Sequence, residues 1–327
     1  MRPNLWFDGR SAAGTRLSGW ERCTRELAAG LAHQPCVHVS KPSSSSLLRR
    51  LAADVTQPLC VRRFTHAHYP SFPPTSAVRP DVLLYTLHDL TWWKYPSTAS
   101  TLGRHYYRPL AEGAVQRAVV LTTSETVASE IKNYFALPDH RVIAVPLGSD
   151  LWRLPADDAR PARDRPYLLS VASVEPRKNL DRLVAAYQLS GLKQTHDLVL
   201  VGRQAWGTPP GGVQVLSGVS DRALASLYRG ATATVLMSLY EGYGLPLIES
   251  LSAGTPVVCS DIPVFREVVG PHASYADPFN VAAIAAAMQT MPDASRIERA
   301  TVDTFRAKSW SATVEATLDA YRVVGAL

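Results

Sequence analysis

The chain repeats one rhythm twice. In its first half the short apolar runs "NLWFD" (4–8), "CVHVS" (36–40), "DVLLYTLHD" (81–89), "AVVLTTS" (118–124) and "RVIAVPLG" (141–148) are separated by longer segments, two of them amphipathic, "GWERCTRELAAGLA" (19–32) and "ETVASEIKNYF" (125–135). Runs this short and this rich in Val and Leu read as strands buried on both faces. Strands that alternate with helices form parallel sheets, because parallel neighbours can be joined only by a long crossover. Ser124 stands where an N-cap belongs, directly before the second helix.

The rhythm stops at "LPADDARPARDRP" (154–166), which mixes prolines and charges without apolar periodicity, as a linker does. It then restarts with strands at "YLLSVAS" (167–173), "DLVLVG" (197–202), "VQVLSG" (213–218), "ATVLM" (233–237) and "PVVCS" (256–260). Helices are expected from Asn179, over "DRALASLYRG" (221–230), after the turn near residue 244, over "NVAAIAAAMQ" (280–289) and over "SWSATVEATLDAYRVV" (309–324). A length of 327 residues suits two domains. The expected architecture is α/β, with two Rossmann-like, doubly wound parallel-sheet domains over residues 1–155 and 156–308. Ligands of such sheets bind beyond the carboxyl ends of the strands, which for two facing domains means the cleft. The stretch from Lys41 to Pro80 is rich in Ser, Pro and Arg, and no element is readable there.

An apolar share of 46% is enough for two cores, and no apolar run approaches the roughly 20 residues of a membrane helix. The opening "MRPNLWFDGR" has no apolar leader core, so a cytoplasmic protein is expected. Cys23, Cys36, Cys60 and Cys259 show no metal-binding spacing and read as buried, reduced thiols. The net charge of +6 is uneven: residues 1–165 hold 21 Lys/Arg against 14 Asp/Glu, and residues 166–327 hold 13 against 14. A basic first half fits an anionic membrane surface, an acidic acceptor or nucleic acid, or else a merely Arg-rich surface.

Several motifs are missing. "GRSAAGT" (9–15) has Thr15 where a P-loop needs lysine, "GYGLPL" lacks the third glycine of a dinucleotide fingerprint, and no Asp-x-Asp pair exists to clamp a metal on a diphosphate. No bound metal and no cofactor are expected, and bound phosphates would be held by protein cations and helix ends.

One constellation is present. "YEGYGLPLIES" (240–250) sets Glu241 and Glu249 eight positions apart around a turn with Gly242 and Gly244, and Pro246 suits the start of a helix. Helix amides that take an anion, beside carboxylates that accept hydrogen bonds from hydroxyls, fit a nucleotide diphosphate sugar. The plainer alternative is that Glu249 complements a helix dipole and Glu241 is solvated. Arg177 and Lys178 in "VEPRKNL" (174–180) follow the first strand of the second domain, where the sheet places a ligand. "SGW" (18–20) holds the corresponding place in the first domain, where Gly19 would let backbone amides face a phosphate. His88 and Asp89 end a central strand, so His88 is expected to point into the cleft, with Asp89 fixing its tautomer or capping the next segment.

These blocks resemble the retaining nucleotide-sugar glycosyltransferases of the GT-B fold, especially bacterial mannosyltransferase-like members. "LYEGYGLPLIESLSAGTPVVCSDIPVFREVVG" (239–270) is similar to that family's Glu-x7-Glu signature, and "SVEPRKNL", "LVLVGRQAWG", "LSGVSDRALASLYRGA", "YTLHDLTWWKYP", "RVIAVPLGSD" and "SGWERCTRELAAGL" are similar to its other blocks. The resemblance covers nearly the whole chain outside residues 36–80. It implies that Glu249 bonds the ribose, that Glu241 and the backbone of Gly242, Tyr243, Gly244 and Leu245 hold the donor sugar and its phosphate, and that Arg177 and Lys178 neutralise the diphosphate. It further implies that His88 touches the sugar near the reacting carbon and that the base lies near Gly202, Arg203, Gly218, Val219 and Ser220. Residues 309–327, opened by Trp310, would cross back onto the first domain.

The implied activity is retaining, metal-independent transfer of a hexose, with mannose favoured, to a glycan or lipid-linked acceptor, with the basic half at the inner face of a membrane. GDP-mannose, UDP-hexose and dTDP-rhamnose all stay open as donors. The chain departs from many relatives by having Val171-Ala172 where they carry a further basic residue, and by its short 36–80 segment. Two other readings stay open: a hydrolysing sugar-nucleotide epimerase of the same fold, and a basic nucleic-acid-binding protein, against which stand scattered arginines without interleaved aromatics.

Overall fold

The computed structural model describes residues 4–12, 19–40, 47–98, 100–155, 165–203, 211, 213–291 and 297–327. The linker residues 156–164 and Ser18, singled out above, lie outside the described residues. The chain divides into two compact units, Met1–Leu147 together with Trp310–Leu327, and Gly148–Ser309.

The sheet of the first unit contains β1 (Leu5–Phe7), β2 (Val37–Val39), β3 (His66–Tyr69), β4 (Val82–Thr86), β5 (Val119–Thr122) and β6 (Val142–Ala144). All are parallel, in the order β2-β1-β3-β4-β5-β6, a doubly wound arrangement. The helix Glu125–Phe135 starts where Ser124 accepts a hydrogen bond from the Val127 amide at 3.2 Å, as the sequence predicts, and ends at Ala136 in the left-handed conformation.

The segment that resisted reading holds two elements, the helix Leu47–Val61 and strand β3. Both are disguised by polar residues on their buried sides. Asp54 and Gln57 point inward from the helix, and β3 buries His66 and His68. Among the thiols, Cys23 and Cys259 are buried, whereas Cys36 is half-buried and Cys60 exposed, so the expectation of buried thiols fails for Cys60. Cys60 sits on the solvent side of the helix that the sequence left unplaced.

The final helix, Trp310–Val323, packs on the first unit through Trp310, Leu318 and Tyr321. It is pinned by polar bonds as well. Thr313 Oγ1 donates to the Pro146 carbonyl at 3.1 Å, and Tyr321 Oη lies 2.6 Å from His68 Nδ1. His68 Nε2 meets Thr86 Oγ1 at 2.8 Å, so both ring nitrogens are partnered by hydroxyls that can donate or accept.

The sheet of the second unit contains β7 (Tyr167–Val171), β8 (Asp197–Val201), β9 (Gln214–Leu216), β10 (Ala233–Leu236), β11 (Val257–Ser260) and β12 (Ser274–Ala276). They are parallel in the order β12-β11-β10-β7-β8-β9. The chain builds outward from β7 through β8 and β9, then returns to place β10 on the other side. The strand order therefore reverses between β7 and β10, and such a reversal opens a crevice at the strands' carboxyl ends.

Burial, with His88 nearby, pushes the His68 imidazole down to about 3. At pH 7 the group is neutral in both folded and unfolded chains. Below pH 6.5 the unfolded chain takes up a proton that the folded one refuses, so stability is lost as pH falls toward 3. Between pH 6.5 and 5 the loss expected from this group is about 2 kcal/mol. Urea unfolding across that range should show it, with a shallower pH slope in His68→Gln; equal slopes would remove the assignment.

Candidate functional site

The crevice between β7 and β10 holds a buried group of four charges. After β7 the chain forms a short 3-10 turn, Pro176–Lys178, closed by Asn179 at φ 57°, a conformation that asparagine tolerates better than most residues. Asn179 Nδ2 donates to the Pro278 carbonyl at 2.7 Å, which fixes the turn before the helix Leu180–Leu189. After β10, Leu239 N donates to the Arg177 carbonyl at 2.8 Å, so the two loops are tied together by backbone.

Arg177 and Lys178 both point at Glu241. Arg177 Nη1 donates to Glu241 Oε2 at 2.9 Å and to the Tyr240 carbonyl at 2.6 Å, while Arg177 Nη2 donates to Glu175 Oε1 at 2.9 Å. Lys178 Nζ bonds Glu241 Oε1, which also accepts from Ser238 Oγ at 2.8 Å. Ser173 Oγ steadies Glu175 at 3.0 Å. None of these four charged side chains is more than 13% exposed. Burial alone would raise the Glu241 pKa, but Lys178 and Arg177 outweigh it and hold the carboxyl at about 2. Burial pushes the Lys178 ammonium below its ordinary value; Glu241 opposes that shift and neighbouring Arg177 adds to it.

The sequence expectation had Glu241 accepting hydroxyls. In the fold its carboxylate already receives three donors, and its first task is to hold Lys178 and Arg177 in place. Glu175 and Ser238, which complete the group, were not singled out from the sequence. Their only signal there is that each lies within three residues of a named charge.

The turn that follows is constrained at Gly244, whose φ of 105° disfavours other residues and where a Cβ would come within 2.8 Å of Phe265. Gly242, Tyr243 and Gly244 are buried and Leu245 is half-buried. The helix Leu245–Ser252 begins one residue earlier than expected, so Pro246 occupies its second position, where the missing N–H still costs nothing. Glu249 faces inward from this helix, and its Oε2 accepts from Tyr228 Oη at 2.7 Å. The plainer alternative places Glu249 in the first turn and leaves Glu241 solvated; instead the first turn of this helix holds no acidic residue and Glu241 is buried.

On the other side of β7, Gly202 crosses so close to the preceding loop that a Cβ would meet the Ala172 carbonyl oxygen at 2.0 Å. Arg203 is exposed, and its carbonyl accepts from Val174 N at 3.0 Å. Ser220 caps the helix Asp221–Gly230 by accepting from Ala223 N at 3.2 Å, and Val219 is half-buried beside it. Arg177, Lys178, Gly202, Arg203, Val219, Ser220, Glu241 and Glu249 thus all belong to the second unit, on loops and helices that follow β7, β8, β9 and β10.

His88 and Gly19 belong to the first unit. His88 is half-buried after β4, and its Nε2 donates to the Pro70 carbonyl at 2.9 Å, which leaves Nδ1 as the acceptor of the neutral ring. Burial lowers its pKa against the opposing pull of the Pro70 carbonyl and Asp89. Asp89 caps the next turn by accepting from Thr91 N at 2.7 Å rather than orienting the imidazole. Gly19 opens the helix Gly19–Leu31, where a Cβ would meet open space.

The family described as "Glycosyl transferases group 1" matches residues 156–300. The O-antigen chain mannosyltransferase B of Escherichia coli is 32% identical over 265 residues, covering 73% of this chain and 70% of that protein. The MMP alpha-(1->4)-mannosyltransferase of Mycolicibacterium hassiacum is 29% identical over 249 residues, covering 70% of this chain and 59% of that protein. Sucrose-phosphate synthase from Thermosynechococcus elongatus superimposes with a TM-score of 0.74 at 19% identity, covering 99% of this chain and 100% of that one.

Two buried cations are matched by two buried carboxylates, so removing one carboxylate charge leaves an excess that the interior cannot solvate. Glu241→Gln should lower the unfolding free energy by about 3 kcal/mol. Inorganic pyrophosphate should restore part of that loss by supplying the missing negative charge. Denaturant titrations with and without pyrophosphate test this; an unchanged midpoint in Glu241→Gln would show that the group is not held by charge balance.

Proposed function

The chain belongs to the group 1 glycosyltransferases, with the GT-B fold, and we propose that it transfers mannose from a nucleoside diphosphate donor to a glycan or lipid-linked acceptor, with retention at the anomeric carbon and without a metal. The observation that carries this reading is the Arg177–Lys178–Glu241 group at the reversal of the second sheet. It sets two cations, fixed by hydrogen bonds, where a doubly wound sheet takes its ligand. The mannosyl assignment rests on the mannosyltransferases to which the chain is similar.

In the proposed reaction the bond between the anomeric carbon and the β-phosphate oxygen breaks, and the acceptor hydroxyl oxygen bonds to the anomeric carbon on the same face. The acceptor proton passes to the departing phosphate, so no carboxylate nucleophile is used. A lysine ammonium has three donors, and the bond to Glu241 uses one of them. The others are available to the diphosphate, where negative charge grows as the sugar leaves. A donor held in place before the reaction needs no reorganisation at that moment. Glu249, fixed by Tyr228, takes the ribose hydroxyls, and His88 Nδ1 offers an acceptor to a sugar hydroxyl. Metal independence follows from letting Arg177 and Lys178 do what a divalent ion does elsewhere, in a chain without an Asp-x-Asp pair.

Two kinetic outcomes separate these roles. Lys178→Ala should lower kcat by roughly 10²–10³. Glu249→Ala should chiefly raise the donor KM, by the equivalent of about 1.5–3 kcal/mol for hydrogen bonds involving a charged group, beyond the stability lost with the Tyr228 Oη bond. Steady-state kinetics on both variants, after their melting points are recorded, decide the matter. A Glu249→Ala enzyme that melts early but keeps its donor KM would make Glu249 structural only.

Donor turnover should also survive exhaustive chelation. Loss of activity in EDTA that manganese or magnesium restores would overturn the metal-free reading.

A further inference from the structure

The Trp92-Trp93 pair, which no step of the proposed reaction uses, heads a row of aromatic rings on the first unit. The short helix Thr91–Lys94 carries the pair, beside the start of the helix Arg108–Arg117 and the end of the helix Glu125–Phe135. The ring centres of Trp92 and Trp93 are 6.1 Å apart, those of Trp93 and Phe135 5.3 Å, and those of Phe135 and Tyr134 4.9 Å. Trp92, Trp93 and Phe135 are half-buried, and Tyr134 is 53% exposed. A core would cover such rings; here they form a continuous strip that water still reaches.

Polar groups edge the strip, and their charges balance. Trp93 Nε1 donates to Glu112 Oε1 at 2.8 Å, and Arg108 Nε donates to the same oxygen at 3.1 Å. The Arg108 guanidinium lies 5.8 Å from the Trp93 ring centre. Lys94 Nζ pairs with Glu130 at 2.6 Å, and Lys132 Nζ with Asp139 at 2.8 Å. Each of these three cations has its own carboxylate, so the pairs add no net charge and give a polyanion nothing to hold. Rings edged by both donors and acceptors suit a neutral polyhydroxyl, whose C–H faces are apolar and whose rim is hydroxyl.

We propose that this strip is an extended glycan site, which binds sugars of a polymeric acceptor some units behind the one that receives the hexose. Trp92 follows His88 by four residues, so at most about 14 Å of chain separates the strip from the residue set against the reacting sugar. This rests on the proposed function and narrows its acceptor to a chain of several sugars, rather than a monosaccharide or a lipid carrying one sugar. Trp92 and Tyr134 offer ring faces, while Trp93, pinned by Glu112 and by its edge contact with Phe135, holds the two in line. A second copy fits worse. A stable interface buries about 800 Å² per partner and keeps charge away from its centre, whereas here ion pairs stand beside the rings.

Acceptor length distinguishes the strip from the reaction itself. With donor saturating, the parent should show a lower KM for mannohexaose than for mannobiose. Trp92→Ala/Tyr134→Ala should raise the mannohexaose KM about tenfold, the factor for two stacked rings, and leave the mannobiose KM, the donor KM and kcat at parent values. Tyr134→Ala alone, at an exposed position, should lose about threefold and keeps the test open if the double variant melts early. Calorimetric titration with each oligosaccharide in the absence of donor should give the same ranking. Tight mannohexaose binding that the variants lose, without any transfer, would remove the proposed function and uphold the strip. Equal KM and equal binding for the two lengths, variants that keep the parent's preference for the longer one, absence of binding to either, or a dimer that Tyr134→Ala dissolves would each overturn it.

Discussion

A buried charge has to be matched, and the second unit is arranged around one such match. Glu241 is the common acceptor for Arg177, Lys178 and Ser238. Without it, the two cations would share the single carboxylate of Glu175, leaving one positive charge in an interior that cannot hydrate it, at a cost of several kcal/mol. With it, they are fixed at defined positions before any ligand arrives. One carboxylate thus fixes the position of both cations.

The remaining structure brings the partners of that match together. Arg177 and Lys178 are more than 60 residues from Glu241 in sequence. They meet because β7 and β10 are neighbours in the sheet, although the chain builds β8 and β9 between them. A parallel sheet puts all its strand ends on one side, so loops distant in sequence share one edge. The bond from Leu239 N to the Arg177 carbonyl then locks the two loops at that edge. The narrow space at Gly202 and the left-handed Gly244 show how tightly backbone is packed there.

Much of this was legible in the sequence because it follows from periodicity and caps. Parallel strands announce themselves as short apolar runs, and Ser124 marks a helix start that the fold confirms. That Arg177, Lys178 and Glu241 follow strands was legible too, and the fold brings the three together after β7 and β10. What could not be read were partnerships across the fold. Nothing local says that Glu241 accepts from Lys178, that Glu175 anchors Arg177, or that Tyr228 fixes Glu249. The Leu47–Val61 helix escaped for a related reason. Pattern reading assumes apolar residues face inward, and here Asp54 and Gln57 do so while Val55 and Leu59 face out. Pro58 within the same helix further argues against the element, although the structure accommodates it.

The central claim is that this charge-matched group receives the donor diphosphate. A crystal structure with an intact, non-reacting nucleotide sugar tests it most directly. The account predicts a diphosphate oxygen within hydrogen-bond reach of Lys178 Nζ, about 3 Å, with Glu241 still joined to the same ammonium. A nucleotide sugar bound elsewhere, with the Arg177–Lys178–Glu241 group intact and untouched, would contradict it.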